Sequence, residues 1–112
     1  RFTRVVLDAQ EDAGTLVISY GITARSAREA VARARQKNHR VSHLMIHSIW
    51  PVPEKSIREA AREVKRVIVP ELNMGQYLLE VQRVLGPGVE VIGVNKMDTT
   101  LISPDEILAK IK

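Results

Sequence analysis

The sequence predicts an α/β fold in three layers, α/β/α, with helices on both faces of a mostly parallel sheet of about five strands. Three observations lead there. Strand-like and helix-like hydrophobic periods alternate four times along the chain. The connections are short, with no linker, repeat or low-complexity stretch between them. Such alternation implies parallel strands joined by helical crossovers. Finally, a leading apolar segment at residues 4–7 is followed by a link too short for a parallel crossover. If that segment pairs in the sheet, it runs antiparallel.

The elements follow in order. Thr15-Leu16-Val17-Ile18-Ser19-Tyr20 is short, apolar and β-rich, and Gly21 ends it, as expected of a buried strand. Residues 23–37 carry Ala24, Ala27, Ala30, Val31 and Ala34 at helical spacing, and such small residues let a helix lie close to a sheet. Residues 41–49 return to strand composition before Trp50-Pro51-Val52-Pro53, where the residues ahead of each proline are pushed towards extended conformations. Pro53 suits the first turn of a helix that buries Ile57, Ala60, Ala61 and Val64.

Residues 67–72 form the third strand of this rhythm. Tyr77, Leu78, Val81, Val84 and Leu85 mark the next helix, which Gly86-Pro87-Gly88 terminates. Residues 89–94 are a further strand. In Ser103-Pro104-Asp105-Glu106 the serine is a cap, the proline fits the first helical position, and the glutamate completes a capping box. Ile107, Leu108 and Ile111 of that last helix face inward.

A chain of 112 residues supports one core rather than two, and 45% hydrophobic with 27% charged residues is ordinary for a globular domain. No apolar run approaches the eighteen or so residues that cross a bilayer, and the start has no signal-peptide pattern. Without cysteine the chain has no disulfides, no thiolate metal site and no iron–sulfur cluster ligated by its own residues, which fits the cytosol. The lack of an initiator methionine suggests a piece of something longer.

The net charge of +4 raises the question of nucleic acid. The cations concentrate in one helical segment, at Arg25, Arg28, Arg33 and Arg35, with Lys37 and Arg40 beyond. Glu29 and Arg33 are placed to pair on its surface. The few aromatic residues are not interleaved with these cations, as a stacking platform for single strands requires. A solvated or partner-facing basic helix is the better reading.

Ligands of open α/β sheets gather beyond the carboxyl ends of the strands. That edge here includes Gly21, Trp50, Glu71, Asn73, Gly75 and Gln76. Gly21 ahead of Thr23 opens a helix N-terminus that attracts anions, but a single glycine is not a phosphate-binding motif and a capped turn explains it equally well. His39, His43 and His47 have metal-like spacing, yet they fall on a helix end and a strand without carboxylates beside them. Asn73 is a favoured N-cap with Gln76 three residues on. Glycine at position 75, in a first helical turn, costs up to about 1 kcal/mol against alanine, which implies a close neighbour at that helix start. No nucleophile–base pair, carboxylate pair or metal cluster emerges. Catalytic, cofactor-binding and metal residues are therefore none.

Four stretches follow a recurring order: Leu16-Val17-Ile18-Ser19-Tyr20-Gly21-Ile22-Thr23-Ala24-Arg25, Trp50-Pro51-Val52-Pro53-Glu54, Glu71-Leu72-Asn73-Met74-Gly75-Gln76 and Leu101-Ile102-Ser103-Pro104-Asp105-Glu106-Ile107. They resemble the C-terminal domain of the alpha subunit of 2-oxoacid:ferredoxin oxidoreductases of the 2-oxoglutarate and pyruvate type. The E-x-N-x-G-Q block is the most specific of them. Pro70 stands where the family usually has an aliphatic residue, so its strand should lose one ladder donor, and Asn95-Lys96-Met97-Asp98-Thr99-Thr100 replaces a more glycine-rich turn.

The resemblance implies a transketolase C-terminal-type sheet of five strands with the first antiparallel. It implies a single domain over residues 1–112, a C-terminal fragment of a longer, cytoplasmic subunit. The complete enzyme would use thiamine diphosphate with Mg, iron–sulfur clusters and coenzyme A, converting a 2-oxoacid to an acyl-CoA and passing electrons to ferredoxin. This domain would itself hold no cofactor. It would support assembly with the beta subunit and other domains, with Glu71, Asn73, Gly75, Gln76, Gly21 and Trp50 as interface candidates, and with no nucleic-acid or membrane partner. The alternative is a free-standing small-molecule or nucleotide-binding module, resting on the Gly21 turn and fold analogy.

Overall fold

A computed structural model describes residues 5–20, 23–46, 54–71, 76–95 and 104–111. The strands are β1 (Val5–Asp8), β2 (Thr15–Tyr20), β3 (Val41–Ile46), β4 (Arg66–Glu71) and β5 (Glu90–Asn95). The helices are α1 (Thr23–Gln36), α2 (Glu54–Ala60), α3 (Gln76–Leu85) and α4 (Pro104–Ile111), with a short 3-10 turn at Gly86–Gly88 between α3 and β5. One five-stranded sheet has the order β1-β3-β2-β4-β5. The β2–β3, β2–β4 and β4–β5 pairs are parallel. β1 runs antiparallel to β3, with Val5 opposite Ile46 and Asp8 opposite His43. The short link after β1 dictates that direction.

Strand alternation sorts the core into two layers. Leu16, Ile18 and Tyr20 of β2, with Leu44 and Ile46 of β3 and Val67 and Val69 of β4, meet Ile57 of α2 and Val81 of α3. On the other face Val17, Val41, Ile68 and Val94 lie under Ala27, Ala30, Val31 and Ala34 of α1 and under Ile107, Leu108 and Ile111 of α4. The helical alanines are fully buried, so α1 packs against both sheet and α4 through its small face.

Two endings differ from the plain sequence period. The α2 helix stops at Ala60, and turn bonds from Arg62 N–H to the Glu59 carbonyl (3.4 Å) and from Val64 N–H to the Ala61 carbonyl (3.2 Å) carry the chain on. Ala61 and Val64 are nevertheless buried, as expected from their spacing. Gly86 adopts φ +73°, the left-handed conformation that ends α3 at little steric cost.

Pro70 sits in a central strand, where a missing N–H matters. Pairing of β4 with β2 runs only from Thr15↔Arg66 to Val17↔Ile68. Pairing with β5 continues through Pro70↔Val94 to Glu71↔Asn95. The proline lies where one of its two ladders has already ended.

Candidate functional site

The connections after β2 and β4 leave in opposite directions. From β2 the chain passes through α1 to β3, and from β4 through α3 to β5, with α1 and α3 on opposite faces. Since β2 and β4 are neighbours, their carboxyl ends flank the divergence where doubly wound sheets hold ligands. The fold therefore brings the exits of Tyr20 and Glu71, the last residues of these strands, to one edge. Glu71 closes β4 and Gln76 opens α3. Gly21, Trp50, Asn73 and Gly75 lie outside the described residues, as does the 96–100 part of the substituted turn.

Beneath α1 lies a polar pair that sequence spacing did not suggest. Ser19 Oγ and His43 Nε2 are 2.7 Å apart, one donating to the other according to the imidazole tautomer. Ser19 is fully buried and His43 is 1% exposed. Desolvation lowers the His43 pKa from 6.5 to about 4; the Asp8 charge opposes this, and Arg28 and Arg35 reinforce it. The imidazole is neutral at pH 7. A nucleophile has to touch its substrate, and this hydroxyl touches only the core, so the pair braces β2 to β3. The legible signal was parity: residues 17 and 19 of β2 and 41 and 43 of β3 share the α1 face.

The basic residues of α1 are mostly engaged within the chain. Arg33 bridges Glu29 (3.1 Å) and Asp105 (2.8 Å), the first of these as its four-residue spacing predicted. Arg35 donates to the Val41 carbonyl from Nε (3.0 Å) and Nη2 (2.7 Å) and reaches Asp8 Oδ2 at 3.2 Å. That guanidinium ties the helix to β3 and the edge strand β1. Among the described residues no group of three or more His, Asp or Glu is arranged to hold a metal ion, and no helix is long and apolar enough to cross a membrane.

The family model described as pyruvate:ferredoxin oxidoreductase core domain II matches residues 13–107. The chain is 44% identical over 101 residues to the 2-oxoglutarate synthase subunit KorA of Methanothermobacter marburgensis. That match takes in 90% of this chain but 27% of the subunit, so the chain spans about a quarter of that relative's length. A solved 2-oxoglutarate:ferredoxin oxidoreductase from Magnetococcus marinus, with 2-oxoglutarate, coenzyme A and succinyl-CoA bound, shares the fold with a TM-score of 0.84 at 22% identity. It covers 98% of this chain and 19% of that one. A split-gene transketolase, solved as an inactive beta4 tetramer, does so with a TM-score of 0.79 at 18% identity, over 96% of this chain and 40% of that one.

Proposed function

The chain belongs to the pyruvate:ferredoxin oxidoreductase core domain II family, and on that premise we propose that it is a non-catalytic assembly domain of a 2-oxoacid:ferredoxin oxidoreductase, at the C-terminus of its alpha subunit. The observation that carries the reading is the match to an oxidoreductase subunit across 90% of this chain. The complete enzyme, on this reading, decarboxylates a 2-oxoacid oxidatively to an acyl-CoA with thiamine diphosphate and Mg, and passes electrons through iron–sulfur clusters to ferredoxin in the cytoplasm. A 2-oxoglutarate substrate is favoured by the name of the KorA relative.

The residues present do not fit the clusters, which are held chiefly by cysteine thiolates, because the 112 residues contain no cysteine. The buried Ser19–His43 pair is closed to substrate. What the domain contributes is surface: a rigid sheet whose edges meet the rest of the enzyme.

The test compares the excised chain with the complete enzyme, each given 2-oxoglutarate, coenzyme A, thiamine diphosphate, Mg and a ferredoxin or dye acceptor. The complete enzyme is expected to reduce the acceptor, and the excised chain to match buffer. Turnover by the excised chain alone would overturn the assembly reading.

A further inference from the structure

We draw no further inference here: the strongest candidate, the outer edge of β1, where the neighbouring Val6 and Leu7 stay exposed on opposite faces of the sheet, carries nothing because nothing in the structure shows what covers it.

Discussion

Ser19 and His43 are polar residues on the sheet face otherwise covered by valine, isoleucine, leucine and alanine, and their 2.7 Å contact gives the hydroxyl and Nε2 a partner in each other. Ser19→Ala should leave the imidazole without its partner in a dry site, costing about 1–3 kcal/mol in urea unfolding. The pH dependence has a definite sign. His43 titrates at about 4 when folded and 6.5 when unfolded, so between these values the unfolded chain binds more protons. Stability therefore rises with pH across that window and is lost as pH falls from 6.5 to 4, by roughly 3 kcal/mol at most. Asp8, Arg28 and Arg35 act on the same imidazole, so the informative quantity is the difference between parent and His43→Gln. Unfolding midpoints at pH 7.5, 6 and 4.5 should fall less steeply in His43→Gln. Equal slopes would show that another group carries the acid sensitivity. Sequence alone could place each residue on a strand, but the pairing needs the β2–β3 register, which no local pattern encodes.

At the scale of the element, α1 shows how much periodicity can foretell. Ala24, Ala27, Ala30, Val31 and Ala34 were legible as an inward face because small residues at helical spacing have few other uses; the last four are buried and Ala24, in the first turn, is half-buried. What they pack against was not legible, since α4 lies far along the chain. Leucine and alanine differ little in helix propensity, so propensity alone expects Ala30→Leu to be nearly neutral. The close contact of α1 with the sheet and α4 instead expects overpacking, about 1–3 kcal/mol in thermal or urea unfolding. Arg35→Lys tests the other end of the helix. Lysine keeps the charge but not the fork that reaches Val41 and Asp8, so amide exchange in β1 should quicken while β4 and β5 are unaffected. Exchange unchanged in β1 would mean that its pairing with β3 holds it unaided. The α2 end was misjudged by one turn because burial of Ala61 and Val64 survives in a turn as well as in a helix.

For the whole molecule, alternation of periods set the layer order and the short 8–14 link set the direction of β1, so most of the fold was readable before any coordinates. The cleft lined by Glu11, Asp12, Glu59 and Glu63 was not, because its lining comes largely from two segments about fifty positions apart in sequence. The carboxyl edge is the converse case, where the sequence singled out Asn73 and Gly75 and the fold supplies only their flanks, Glu71 at the end of β4 and Gln76 at the start of α3. A capped helix start and a subunit contact make different demands on these residues. If Gly75 only continues the helix start, Gly75→Ala should be neutral or slightly stabilising, because alanine is the better helix former and narrows the unfolded ensemble. We propose that its surface also packs against another subunit, in which case the added methyl leaves the excised domain as stable as before but weakens assembly of the complete enzyme. Asn73→Ala should act in the reverse manner, lowering the stability of the excised domain by about 0.5–2 kcal/mol through loss of the cap. Melting temperature of the domain, measured beside subunit association of the enzyme for both substitutions, separates the two roles. A Gly75→Ala enzyme that assembles like its parent would remove this edge from the interface.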